Sequence, residues 1–427
     1  MEIEYKKLIT IPGFEPFEKW DMEPNPFRQF RCKALRGDEP NWFVSSLILA
    51  NTPIGSIENQ HLGGAAGSSI YLEDSYTSCV CEGFERYCSM NYFMKDTPYM
   101  RKVDYSKGYI RCADEENAPA SFKKNGVTVA IEHTLVHRLI DDAPDFLPYE
   151  LVHLGFRKAD INKLFASLIS TGCAFQTDKV RAIKRGLEEV IERHALMAWW
   201  YDKDRMEKSI DLSNCTDFDI HERVDRIISK NIRIRLFEIS SISGFPVVFC
   251  MMQSDQFPYF SCGASCCTDI KHAIIKSIDE AVSIRYMSEF VGQKQIDTDD
   301  FSWVKKLEDH MVLYANWKSS PVIQTIMEKQ SEKVEPKDFD CVEIRTMEDL
   351  QGQAIRLKEL GFDVYYKDLT LDEVKPIGMV YKVMIPQMIP LTQYDNIRWL
   401  SSLIKNGKTM ASTHTLNRFL KILNYAE

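Results

Sequence analysis

The 427-residue sequence has no apolar run approaching the roughly 20 residues needed to cross a bilayer. Its start, Met1-Glu2-Ile3-Glu4-Tyr5-Lys6-Lys7, lacks the basic-then-apolar layout of a secretion signal. No membrane is therefore expected as a partner, and the chain is placed in the cytoplasm. A basic excess is missing as well. The formal charge is −9, with Lys and Arg scattered among Asp and Glu, so no basic stripe awaits a phosphate backbone and nucleic acid is not expected. The 12 cysteines run from Cys32 to Cys341 without a regular framework. Neither Cys79-x-Cys81 nor the Cys262, Cys266, Cys267 group has the paired spacing of a zinc site, and in a cytoplasmic chain they read as reduced, mostly buried thiols. The nine histidines include no His-Glu-x-x-His pair, which removes the metalloprotease reading. Nucleophile elbow, catalytic triad and low-complexity segment are all lacking.

What is present is enough chain for one elaborate α/β domain or two to three tightly joined subdomains. Three parts are expected: a covering segment over 1–55, a core over 56–300, and a remainder over 301–427 that ends in a helical tail. Trp42 to Ala50 reads as a strand, and His61 to Ser69 as a flexible small-residue loop leading into a helix from Glu73 to Met90. Val127 to Ile131 reads as a strand, followed by a Pro- and Asp-rich seam through Asp141 to Pro148. The strongest helical pattern runs from Asp178 to Trp200, with Ile183, Leu187, Val190, Ile191 and Leu196 at three- and four-residue spacing. Strands at Ile232–Ile239 and Pro246–Met252 precede a helix at Asp269–Glu289. Further on come a helix near Met347–Leu360 and strands at Asp363–Lys367 and Met379–Ile385.

Two of these helices carry the same motif: Glu82-Gly83-Phe84-Glu85-Arg86 and Glu189-Val190-Ile191-Glu192-Arg193. Residues three apart share a helix face, so each copy points two carboxylates one way with an arginine beside them. Taken singly, such a motif is ordinary solvated helix surface. Here the intervening residues are small or apolar, and acids embedded in apolar helices are seldom left unpaired. Four converging carboxylates with two arginines suit Mg²⁺ and the phosphates of a nucleotide.

These residues resemble the YcaO family. Gly67-Ser68-Ser69 with Ser78-Cys79-Val80-Cys81-Glu82-Gly83-Phe84-Glu85-Arg86 is similar to its first motif. Thr171-Gly172-Cys173-Ala174 with Gly186-Leu187-Glu188-Glu189-Val190-Ile191-Glu192-Arg193-His194 is similar to its second. Gly263-Ala264 with Ser277-Ile278-Asp279-Glu280-Ala281-Val282-Ser283-Ile284-Arg285 is similar to its third. Val383-Met384-Ile385-Pro386 resembles the family's last core strand. The resemblance implies a mixed α/β (α+β) fold of the YcaO type, with helices enclosing an ATP site between subdomains and the catalytic core within 56–300. Glu82, Glu85, Glu189, Glu192 and Glu280 would hold Mg²⁺, directly or through water. Gly67, Ser68, Ser69, Ser78, Arg86, Thr171, Arg193, Glu280 and Arg285 would contact ATP, and Arg86, Arg193 and Arg285 would act in catalysis.

The implied activity is ATP-dependent cyclodehydration of a ribosomal precursor peptide, in which Cys, Ser or Thr closes onto the preceding carbonyl as an azoline. A separate leader-binding E1-like (ThiF-like) partner protein and a homodimer are implied with it. The sequence departs from the family pattern at Ser68 for lysine, Ser283 for glutamine, Thr171 for asparagine and His194 for aspartate, and it ends without a proline-rich tail. Thioamide or amidine formation at the same ATP site, and a non-catalytic scaffold role, remain open beside ring formation. Trp199-Trp200-Tyr201 and Cys266-Cys267 read as packing, and His194 as a structural histidine.

Overall fold

The computed structural model describes residues 26–391 and 399–400, apart from 36, 50–62, 93–94, 97–98, 105–110, 113–127, 155–169, 203–205, 207, 299–302, 305–306 and 390. The chain begins with β1 (Phe27–Ala34), β2 (Phe43–Leu49), β3 (Gly64–Ser69) and α1 (Leu72–Asn91). It continues through β4 (Tyr99–Asp104), β5 (Arg111–Cys112), β6 (Thr128–Arg138), β7 (Pro144–Pro148), α2 (Tyr149–Val152), β8 (Cys173–Gln176) and α3 (Lys179–Tyr201). Next come β9 (Lys208–Ile210), α4 (Phe218–Ile228), β10 (Arg233–Glu238), β11 (Val247–Gln253), β12 (Phe260–Cys266) and α5 (Ile270–Val291). The last elements are α6 (Leu307–Asn316), α7 (Pro321–Glu328), β13 (Glu332–Val334), α8 (Met347–Glu359), β14 (Tyr365–Asp368), β15 (Met379–Met384) and β16 (Trp399–Leu400).

Three sheets carry the long helices. One is β1-β2-β3; a second is β12-β11-β10-β9-β13; the third runs β4-β6-β14-β15-β8, with β7 paired to β6. A short β16-β5 pair stands apart from them. Strands on both sides of residue 300 share the third sheet, because β15 pairs antiparallel with β8 from Met379↔Gln176 to Lys382↔Cys173. The C-terminal third is thus woven into the core. The seam expected at 141–148 likewise contains β7, whose residues pair with β6 from Pro144↔His137 to Pro148↔His133. The expected C-terminal helical tail lies outside the described residues.

Helix α3 forms where its pattern predicts. Asp178 caps it by accepting from the backbone N–H of Arg181 at 2.9 Å, and Ile183, Leu187 and Ile191 are fully buried on its core face, each contributing about 1.5–3 kcal/mol of apolar burial. Trp199 packs in the same core against Phe237 and Phe249. His194 is structural, as expected: its Nδ1 accepts the Ile389 N–H at 3.1 Å and burial holds the ring neutral, with its pKa down to about 4.

The small-residue stretch before α1 is a strand instead of a loop. β3 pairs with β2 from Phe43↔Ser69 to Ile48↔Gly64. Strand formers are scarce there because α1 lies directly on it: a Cβ on Gly67 would stand 2.1 Å from the Ser75 carbonyl and 2.5 Å from the Cys79 amide. Phe84 then locks α1 against the third sheet, stacked on Phe175 at 4.8 Å and tilted against Phe27 at 5.1 Å.

Candidate functional site

Helices α1, α3 and α5 each pack on the strand before them, β3, β8 and β12, and each also leans on a strand of another unit: α1 on β8, α3 on β12, α5 on β3. The three units close a ring, and one hydrogen bond recurs in all of them. Glu82 accepts the Ala66 N–H at 2.9 Å, Glu189 the Gly172 N–H at 3.1 Å, and Glu280 the Ala264 N–H at 2.9 Å. In every case the donor lies on, or one residue before, the strand leading into that helix, so the local fold itself aims the carboxylate.

A second set of acids ties neighbouring units together. Glu85 accepts from Phe175 of β8 at 3.0 Å, Glu192 from Cys266 of β12 at 3.0 Å, and Glu188 from Thr268 at 3.0 Å. The matching position on α5 is Ser283, which has no carboxylate to offer. On β3 the Ser68 Oγ is buried with no hydrogen-bond partner.

The arginines lie among these acids. Arg86 donates to Glu82 Oε1 through Nη2 at 2.7 Å and Nε at 3.2 Å. Arg193 stands 3.5 Å from Glu192 and 4.0 Å from Glu280, joining α3 to α5. Glu82 and Glu280 keep 32% and 38% of their side-chain surface open, so the ring surrounds accessible space instead of filling itself.

Enclosure sets the proton equilibria. Burial, reinforced by Glu189 and Glu82, pushes Glu85 up to about 8. Burial, with Glu280 and Glu189 adding to it against the pull of Arg193, lifts Glu192 to about 8. Burial also raises Glu189 and Glu280, against neighbouring arginines. For Arg86 and Arg193 burial opposes the charge, but the surrounding glutamates outweigh it and hold both above the ordinary range.

This donor set fits Mg²⁺ carried by a nucleotide. The ligands are hard oxygens, the cations beside them match phosphate, and the buried Ser68 hydroxyl and the buried Arg193 Nε lack hydrogen-bond partners. Among the described residues no three His, Cys, Asp or Glu side chains form a ready metal cage. Were Mg²⁺ bound here, phosphate oxygens and water would complete its shell, as this ion ordinarily requires.

A pH dependence follows. Carboxyls raised to about 8 favour the metal-free protein while protonated, a contribution complete below the ordinary carboxylate range and lost as pH rises through 8. Were Mg²⁺ held by the same groups, it would need them ionised. Thermal stabilisation by Mg²⁺ and ATP should therefore grow from pH 6 to pH 8.5, with apparent affinity rising by up to about tenfold per unit. Scanning fluorimetry across that range tests it; a stabilisation independent of pH contradicts it.

Two expected ATP contacts point elsewhere. Arg285 is spent on Glu39, with Nε and Nη2 each at 2.7 Å, and it also donates to the Pro258 carbonyl. The reason is helical phase. Arg86 and Arg193 follow the first glutamate of their motif by four residues, about 40° round the helix, whereas Arg285 follows Glu280 by five, about 140° round. Ser69 is also occupied, its Oγ accepting from Arg223 and from the Tyr71 N–H, both at 3.2 Å. Thr171 stands in the turn beside Gly172.

Sequence reasoning missed Arg185, Glu188 and Lys276. Arg185 donates to the Cys266 carbonyl at 2.9 Å and lies 3.5 Å from Glu188. Lys276 donates to Ser78 Oγ at 3.0 Å. The signal for both bases was spacing, since each precedes a ring glutamate by four residues.

No helix among the described residues is long and apolar enough to cross a membrane. No curated protein sequence matches the chain. Solved structures do. A heterocyclase in complex with substrate and cofactor superposes with a TM-score of 0.66 at 16% identity, covering 92% of this chain and 54% of its own, so the present chain spans about half of that protein. YcaO from Methanopyrus kandleri bound with AMPPCP and Mg²⁺ superposes with a TM-score of 0.61 at 15% identity, covering 88% and 90%. The E. coli microcin synthetase McbBCD complex gives 0.59 at 16% identity, covering 84% and 88%. These likenesses establish the fold. The sequence model described as YcaO cyclodehydratase, ATP- and Mg²⁺-binding, matches residues 66–389, and the chain belongs to the YcaO family.

Proposed function

We propose that this chain closes azoline rings in a ribosomally made precursor peptide, with ATP and Mg²⁺. A Cys, Ser or Thr side chain of the peptide adds to the preceding carbonyl carbon, and the former carbonyl oxygen departs as phosphate, so each ring forms with net loss of one water. ATP supplies the phosphoryl group that makes that oxygen a leaving group. The observation that carries the reading is the ring of five glutamates on α1, α3 and α5 with Arg86 and Arg193 between them.

In this reading Glu82, Glu85, Glu189, Glu192 and Glu280 hold Mg²⁺ directly or through water, and Arg86 and Arg193 offset phosphate charge. Backbone amides fix the acids before any ligand arrives, so little reorganisation is left for the reacting state. The nucleophile comes from the peptide. Thiols of the protein near the ring are poor competitors, because burial pushes Cys81 and Cys262 up to about 12.

The catalytic core assigned to 56–300 would work with segments beyond it, since β14 and β15 complete the sheet that holds β8. For partners we propose the precursor peptide, an E1-like protein that presents its leader, and a second copy of this chain. The test is to incubate the purified chain with ATP, Mg²⁺ and the precursor peptide encoded nearby, with and without the neighbouring partner, and to weigh the product. Loss of one water per site is expected. Exchange of oxygen for sulfur, or an unchanged peptide with no ATP consumed, overturns the reading.

A further inference from the structure

The turn between β1 and β2 is held by side chains from distant parts of the chain. Its base closes through the Leu35 N–H, which donates to the Trp42 carbonyl at 2.7 Å. Helix α4 takes two of its carbonyls: Arg226 Nη1 donates to Asn41 at 2.7 Å and Lys230 Nζ to Gly37 at 2.5 Å. Helix α5 takes an acid. Asp38 is exposed, but its neighbour Glu39 is buried, and Arg285 meets that carboxylate with two parallel donations, Nε to Oε2 and Nη2 to Oε1, each at 2.7 Å.

A second carboxyl reaches the same place. Glu289 follows Arg285 by four residues and so shares that face of α5, where its side chain comes within hydrogen-bond reach of Glu39. The guanidinium has nothing left to mediate between the two acids, since its remaining nitrogen, Nη1, donates to the Pro258 carbonyl at 2.5 Å. Two carboxyls in contact form a hydrogen bond only with a proton between them. Glu289 therefore meets Glu39 as the neutral acid and donates to it. The charged groups facing Glu289 are Glu39 from the turn, Arg285 from its own helix and Lys33 from β1, whose Nζ also lies over the Tyr286 ring at 5.1 Å. Burial, with Glu39 adding to it, outweighs the two bases and pushes Glu289 up to about 7.

We propose that Glu39, Glu289 and Arg285 form a proton-operated clasp between the β1–β2 turn and helix α5, closed while Glu289 carries its proton and loosened once it is ionised. The clasp stands apart from the nucleotide reading, because Arg285 is turned away from the ring and neither Glu39 nor Glu289 belongs to it. A carboxyl raised in the folded chain contributes stability that is complete below the ordinary carboxylate range and is lost as pH rises through about 7.

Hydrogen exchange at the Leu35 amide, corrected for the intrinsic effect of pH, reads the turn directly. Its protection should fall about tenfold between pH 6 and pH 8 in the unaltered protein, the change expected for one carboxyl that titrates near neutrality in the closed state only. In Glu289→Gln the side-chain amide keeps a donor for Glu39 and has no proton to lose, so protection should stay within about twofold over that range and exceed that of the unaltered protein at pH 8. Circular dichroism checks the fold, and Glu289→Ala, which also lacks the second carboxyl, should give the same flat profile if the glutamine variant is unfolded. An equal fall in the unaltered protein and the variants overturns the proposal by assigning the response to other groups. Protection that is unchanged between pH 6 and pH 8 in the unaltered protein overturns it as well.

Discussion

Glu189→Gln should lower peptide-dependent ATP hydrolysis by about a hundredfold or more, the scale seen when one preorganised group facing the reacting charge is removed. The substitution isolates charge from fold. Glutamine keeps an acceptor for the Gly172 N–H that Glu189 now binds at 3.1 Å, so β8 and α3 should hold their relation. What disappears is a negative charge facing Arg193, Arg185 and Arg86. The Mg²⁺ concentration for half-maximal rate should rise by about 10- to 100-fold, and the metal-free protein should unfold within about 1 kcal/mol of the parent. Glu188→Gln is the contrasting control. That neighbouring side chain is almost fully buried and accepts from Thr268, so its replacement should disturb stability more than the Mg²⁺ dependence. Near-parental hydrolysis by Glu189→Gln at limiting Mg²⁺ would contradict the metal-binding role proposed for Glu189.

The sequence made this ring legible for a definite reason. Glu82 and Glu85 flank Gly83-Phe84, and Glu189 and Glu192 flank Val190-Ile191; carboxylates beside core residues imply partners, and periodicity places them on one face. Helices α1, α3 and α5 were legible from the same periodicity. β3 was not, because its residues were selected for closeness to α1 and not for strand propensity. Arg185 and Lys276 were hidden because a lone base on a helix carries no pattern; only the repeated offset from three acids distinguishes them. The resemblance implied a phosphate contact for Arg285, but the five-residue offset from Glu280 turns it toward Glu39, a partner that no local pattern announces. Contacts between distant segments were beyond reach altogether. Asp96, His153 and Lys367 meet in one cluster, with His153 Nε2 2.6 Å and Lys367 Nζ 3.1 Å from the Asp96 carboxylate, though nothing local marks any of the three.

Another such long-range cluster sets the second large expectation: Asp279→Ala should destabilise the protein by about 3–5 kcal/mol. Asp279 and Arg223 are 3% and 2% exposed, and they pair through Nε at 2.9 Å and Nη2 at 3.3 Å. The same carboxylate accepts from Trp42 Nε1 at 3.1 Å, and Arg223 donates to Ser69 Oγ and to the Asp219 carbonyl. Four side chains and one carbonyl thereby join the approach to β2, the end of β3, and helices α4 and α5. Alanine leaves the arginine's charge buried without its partner, and that desolvation, more than the lost attraction, sets the size of the effect. The double variant Asp279→Leu with Arg223→Met should recover much of the loss, since removing both charges removes the penalty. Denaturant unfolding of the single and double variants tests the cycle; a single variant within about 1 kcal/mol of the parent, or a double variant as unstable as the sum of its parts, would contradict it. Because Glu280 follows Asp279 directly on α5, a loosened pair should also weaken nucleotide binding in the protein that remains folded, and such a coupling would make the buried ion pair a support for the helix that carries Glu280.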